Sequence, residues 1–211
     1  MASSDHPLAG VLRDATAGCF PPVDGTVEVV PPDPAGQHAV VEFTGHAYVL
    51  TDRPATDPIF DGVDAFGGAT QAALLVELAG PSGTIGSLDV VLVRRAGPSH
   101  VTPLPAADDV DRHPRVLRAR VHRRDVQAFA DERGLACIGR GLADRVELSV
   151  ELTGAAPGRG AGRSLIEAAL ANVDADTHVF AQVASGNAAS LRAFLACGFM
   201  PIGCEVLIDR V

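Results

Sequence analysis

Residues 147–170 read Glu147-Leu-Ser-Val-Glu-Leu-Thr-Gly-Ala-Ala-Pro-Gly-Arg-Gly-Ala-Gly-Arg-Ser-Leu-Ile-Glu-Ala-Ala-Leu170. An alternating strand runs through a glycine-rich turn into an amphipathic helix. Gly158, Gly160 and Gly162 carry no Cβ, so the main chain can turn tightly and approach a ligand closely. The N–H groups that open the following helix have no intrahelical partners, and with the helix dipole they favour an anion. The order therefore predicts a crossover unit with a phosphate cradle at its turn.

Side chains at fixed offsets separate the loops that share this physics. A Walker A loop ending at Gly162-Arg163-Ser164 would need Gly at Pro157 and Lys at Arg163, and the chain contains no Lys. A dinucleotide fingerprint would need a third glycine at Arg163, or Gly or Ala at Leu165. Neither pattern fits.

Downstream, Thr177–Val183 reads as a buried strand, and Ser185-Gly186-Asn187 leads into a short helix that closes at Cys197-Gly198-Phe199. Pro157-Gly158-Arg159-Gly160-Ala161-Gly162 resembles the acyl-CoA loop of the GNAT (GCN5-related) N-acetyltransferase superfamily, with Pro157 in place of the usual Arg or Gln. The proline removes one side chain and one N–H donor. Asn187-Ala-Ala-Ser190-Leu-Arg-Ala193-Phe194 and Gly198-Phe199 resemble the same superfamily's helix signature, with Ala193 for Leu and Phe194 for Tyr. The resemblance covers about 105–211.

The wider pattern agrees with that order. Strands are expected at Val27–Val30, Ala39–Phe43, Ala47–Leu50 and Leu88–Val93, with a helix at Thr70–Ala79 ending on Gly80. Arg95–Asp108 carries Pro98, Pro103 and Pro105 without apolar periodicity and reads as a linker. A helix over Asp109–Arg120 with Pro114 in its first turn follows. Then come strands at Asp125–Ala130, Leu135–Leu142 and Arg145–Leu152, a crossover helix over 162–173, strand 177–183, helix 188–197 and strand 201–208. The expected class is α/β (α+β), a GNAT-like fold with a mixed, mostly antiparallel sheet. Two domains are expected: an α/β region over 1–100, degenerate acyltransferase-like or substrate-shaping, and an acyltransferase domain over 105–211.

Composition excludes several roles. The net charge of -9 opposes nucleic acid and anionic membranes and favours cationic acceptors such as amines. No apolar run approaches the roughly 20 residues that span a bilayer. The start Met-Ala-Ser-Ser-Asp-His-Pro has no basic and apolar signal, which makes the cytoplasm the default location. Cys19, Cys137, Cys197 and Cys204 have no metal-ligand spacing and read as reduced thiols, and Asp111 and His113 lack further ligands, so no metal is expected. Arg115, Arg118, Arg120, Arg123 and Arg124 suit either a phosphate or a solvated helix face.

The resemblance implies the chemistry. Two strands of the fold splay, and pantetheine amides fill the gap as a surrogate strand. Main-chain atoms of Val150 and Leu152 would hold the pantetheine, their side chains being core. Gly158, Arg159, Gly160, Ala161, Gly162 and Arg163 would hold the pyrophosphate. Asn187 would bond pantetheine or cap its helix, and Phe194 would pack near the acyl chain or in the core. The Val150 N–H, or a neighbour's, would stabilise charge on the thioester oxygen. Glu147 is the expected general base unless it is a salt-bridged strand carboxylate, with His122 and Glu205 behind it. Phe194 cannot donate a proton to departing sulfur as the usual Tyr would. The implied activity is acyl transfer, most simply acetyl, from acetyl-CoA or another acyl-CoA to a primary amine of a small molecule or peptide by direct attack. The alternative is a noncatalytic CoA-binding module. Either is compatible with a homodimer.

Overall fold

The apolar runs of the first hundred residues become strands close to where alternation puts them. In the computed structural model, which describes residues 6–98, 100–154 and 160–210, they are β1 (Val27–Val30), β2 (His38–Phe43) and β3 (His46–Leu50), followed by the two-residue β4 (Thr84–Ile85) and by β5 (Asp89–Arg95). The chain forms two units, Met1–Val91 with Ile202–Val211, and Leu92–Pro201.

In the first unit, β3 lies between β1, to which it is parallel, and β2, to which it is antiparallel. All five β3 residues are buried. A helix, α1 (Pro7–Thr16), precedes them and was not anticipated from the sequence. Its apolar spacing is visible in retrospect, since Leu8, Leu12 and Ala15 are the residues it buries. His6 caps it, Nδ1 accepting the Leu8 N–H at 3.2 Å while Nε2 bonds the Pro31 carbonyl at 2.9 Å. Helix α2 (Ala72–Ala79) sends Leu74 and Leu78 into a core with Val40, Val49, Val206 and Ile208, and Gly80 ends it at φ +72°.

The final strand, β10 (Met200–Asp209), pairs antiparallel with β2 from Cys204↔Glu42 to Ile208↔His38. That ladder draws residues 202–211 into the first unit, whereas the linker-based division assigned them to the second half. Continuous strand pairing outweighs position in sequence.

In the second unit, α3 (Pro114–His122) starts five residues later than the pattern suggested, because His113 is its cap and Pro114 its first residue. Strands β6 (Arg124–Asp131), β7 (Gly134–Arg140) and β8 (Val146–Leu152) form the expected antiparallel meander. The β6–β7 turn is tight, and a Cβ on Gly134 would lie 2.1 Å from the Glu151 carbonyl oxygen. Helix α4 (Ala161–Leu170) crosses to β9 (His178–Ala184), which is parallel to β8, and α5 (Ala188–Ala196) packs on α4. Strand order is β5-β9-β8-β7-β6. Helix α3 packs Val116 and Ala119 against Leu135 and Cys137 on one sheet face. Both units are mixed α/β with mixed sheets.

Candidate functional site

The ladders on the two sides of β8 differ in length. Towards β7 it is continuous over seven pairs, Gly134↔Leu152 to Arg140↔Val146. Towards β9 it holds only Val146↔Val179 and Glu147↔Phe180. Beyond that apex, residues 148–152 and 181–184 continue as strands without pairing to each other among the described residues. Five residues of strand extend about 17 Å, long enough for an extended ligand to add its own amides to the open edge.

The open end of this fork leads to the predicted cradle. Gly158 and Arg159, with Pro157, lie outside the described residues. From Gly160 on the geometry suits an anion. Gly160 has φ +105°, a conformation that favours glycine, and a Cβ there would meet nothing within 4 Å. It caps α4 without a side-chain hydrogen bond. The first helical bond runs from the Ser164 N–H to the Gly160 carbonyl at 2.9 Å, so the N–H groups of Ala161, Gly162 and Arg163 precede the ladder. The Arg163 side chain is exposed. Gly162 is less demanding, because an added Cβ would make an ordinary 3.6 Å contact with the Ala193 Cβ.

At the apex the expected base has a different role. Glu147 is 4% exposed, and its two carboxylate oxygens accept from Arg145 Nε at 2.8 Å and Arg123 Nε at 2.6 Å. Burial raises its pKa, but Arg145 and Arg123 outweigh that and hold it below the ordinary carboxyl value. A carboxylate so stabilised is a poor proton acceptor near neutral pH. The assignment of Glu147 as general base is therefore corrected to a buried ion-pair anchor. Arg145 also lies over the Phe180 ring, 5.4 Å from its centroid.

Arg123 links the two strands across the fork. It donates to Glu147 and, through Nη1, to Ser149 Oγ at 2.9 Å on β8, and through Nη2 to Gln182 Oε1 at 3.1 Å on β9. In the sequence it reads as part of a solvated helix face or a phosphate patch. Its side chain is only 11% exposed. Ser149 and Gln182 were also missed. The available signals were weak: Ser149 shares the Glu147 face at a spacing of two, and Gln182 interrupts an apolar run.

Glu151, on the same face, receives Arg115 Nε at 3.0 Å at the surface. Val150 is half-buried, but the Leu152 side chain is 45% exposed rather than core, because β8 there reaches the mouth of the fork. Asn187 caps α5, its Oδ1 accepting the Ser190 N–H at 3.1 Å. Phe194 is buried and meets Phe199 edge-on with centroids 4.9 Å apart, a core packing role. Glu205 is buried opposite Val41 in the first unit.

The thiols are poorly suited to covalent catalysis. Burial, with Glu167 nearby, pushes Cys197 up to about 11; burial, with Glu42 and Glu205, does the same to Cys204; burial raises Cys137. No group of three or more His, Cys, Asp or Glu among the described residues has the arrangement of a metal site. No helix among them is long and apolar enough to cross a membrane.

No protein-family model matches the chain, and no curated protein does. Several solved structures are similar at low identity. One, from Novosphingobium aromaticivorans and named as an acetyltransferase of the GNAT family, is 16% identical with a TM-score of 0.40, over 62% of this chain and 69% of that one. A protein of unknown function from Staphylococcus epidermidis is 13% identical with a TM-score of 0.43, over 66% and 68%. A GCN5-related N-acetyltransferase from Kribbella flavida is 15% identical with a TM-score of 0.38, over 66% and 63%.

Proposed function

We propose that the protein is an acyl-CoA-dependent N-acyltransferase that carries an acetyl or other short acyl group to a primary amine by direct attack. The observation that carries this reading is the β8–β9 ladder, which stops after two pairs and opens towards the α4 N-terminus, capped by Gly160 without a side-chain hydrogen bond. The fork supplies a strand edge for the pantetheine amides, and the N–H groups of Ala161, Gly162 and Arg163 supply donors for the diphosphate.

When bound, the CoA thioester supplies an activated acyl carbon and a thiol leaving group. The chain's own residues hold and orient it. A primary amine resembling lysine is mostly protonated at neutral pH, with roughly one molecule in a thousand free. Glu147 is committed to Arg123 and Arg145, so the proton lost by the amine passes to water. A thiol leaves readily as thiolate, its pKa being about 8.5, which makes the missing hydroxyl at Phe194 tolerable. The elevated thiol pKa values of Cys197 and Cys204 favour direct attack over an acyl-enzyme.

Calorimetry with acetyl-CoA on the wild type and on Gly160→Val tests the cradle. The valine must adopt φ +105° and place its Cβ in open space that the phosphates need. Loss of binding is expected, with about 1–2 kcal/mol of stability lost; normal binding would remove the cradle from the site. Thiol release with a panel of amines then separates turnover from binding alone. Heat without release would favour the noncatalytic module.

A further inference from the structure

Five side chains, Arg123, Arg145, Glu147, Ser149 and Gln182, meet where β8 and β9 part, and their hydrogen-bonding capacity is unequal. Each Glu147 oxygen accepts a guanidinium N–H, and Gln182 Oε1 accepts another. Ser149 Oγ accepts from Arg123 Nη1. A guanidinium can only donate, so the Ser149 hydroxyl proton must point away from it. Gln182 Nε2 is buried and has no hydrogen-bond partner. In this cluster, Ser149 O–H and Gln182 Nε2 are donors without a hydrogen-bond partner. A ligand atom that completes such a cluster is an acceptor.

Ser149 is half-buried, two residues beyond the last β8–β9 pair and three before Leu152 at the mouth. A chain laid along the fork with its phosphates at α4 brings its far end to this residue. We infer that Ser149 is a catalytic residue whose hydroxyl donates a hydrogen bond to the carbonyl oxygen of the acyl thioester, and that Arg123 is the positioning residue that aims it. This inference rests on the acyl-CoA reading.

In the step itself, the amine lone pair forms the new C–N bond and the carbonyl π pair moves to oxygen. Ser149 stabilises that oxyanion without transferring its proton. Collapse then restores the carbonyl and breaks the C–S bond. The electron pair leaves on sulfur, the amine nitrogen loses its proton to water, and the thiolate is protonated from solvent. Arg123 keeps the serine rotor in the donating orientation and spends no proton.

The test is infrared spectroscopy of acetyl-CoA labelled with ¹³C at the carbonyl, bound without an acceptor amine. A donor aimed at the oxygen weakens the C=O bond, so the bound band should lie below that of free acetyl-CoA. Ser149→Ala should lose at least half of that displacement while binding acetyl-CoA as before. Ser149→Thr, which retains a hydroxyl, should restore it, and Arg123→Lys should broaden or reduce it. With any amine found active, Ser149→Ala should lower kcat by about 100-fold with little change in KM. A band that is undisplaced in the wild type, or equally displaced in Ser149→Ala, would overturn the role of Ser149 and leave acyl-CoA binding intact. Failure of the wild type to bind acetyl-CoA would overturn both readings.

Discussion

Strand β3 of the first unit and strand β8 of the second differ in how they use their two edges. β3 is buried along its whole length and paired on both sides, over four residues with β1 and five with β2. β8 is paired over seven residues on one side and two on the other, and its last two residues are exposed. A strand closed on both edges contributes stability and offers nothing to a ligand. A strand with one open edge gives up ladder hydrogen bonds and gains a binding surface. Something else must then hold the open strand, and here it is the ion-pair cluster of Arg123, Arg145 and Glu147 at the apex.

The comparison breaks most severely if that cluster is removed. Glu147→Gln leaves two guanidinium groups without their shared carboxylate and should cost about 3–5 kcal/mol in urea unfolding. The pH dependence carries the same signature. Because its folded pKa is depressed, Glu147 contributes stability that is fully present above its ordinary value of 4.5 and is lost as pH falls through the folded value. The wild type should therefore lose stability over that acid range more steeply than Glu147→Gln. Equal slopes would mean that the carboxylate is not stabilised by its two arginines.

The closed strand supplies the control. Leu50 is 1% exposed on β3, and Leu50→Ala should cost about 2–5 kcal/mol. Acetyl-CoA affinity, measured well below the unfolding midpoint, should stay unchanged. A comparable loss of affinity would show that the open fork depends on packing in the first unit.

The smallest effect sharpens the boundary between structure and binding at α5. Asn187→Ala removes the cap on the Ser190 N–H and should cost about 1 kcal/mol. Asn187→Asp keeps a capping oxygen but loses the amide N–H. Unchanged stability with weaker acetyl-CoA binding in Asn187→Asp would assign the side chain a pantetheine contact in addition to its cap. Unchanged binding in both variants would leave it a cap alone.

Local signals in the sequence mark much of this architecture. Alternation marks β1 and the meander, Pro114 and Gly80 mark helix ends, and Gly160 marks the αL entry to α4. Each reflects a preference set by a residue and its near neighbours. Helix α1 went unread although Leu8, Leu12 and Ala15 carry its spacing, and β2 and β10 were each legible as strands while their pairing was not. Pairing partners are separated by more than 150 residues there, and no local preference chooses among them.

The amino-acid order by itself determined the glycine turn between strand and helix, the alternation of Glu147, Ser149 and Glu151 on one face, and the absence of lysine that removes a Walker A loop. Tertiary structure alone decided what those side chains do. It buried Arg123 against Glu147, Ser149 and Gln182, residues 24, 26 and 59 positions away. The physical reason is that a carboxylate's protonation and a hydroxyl's direction are set by the charges and donors packed around them, and these come from distant parts of the chain.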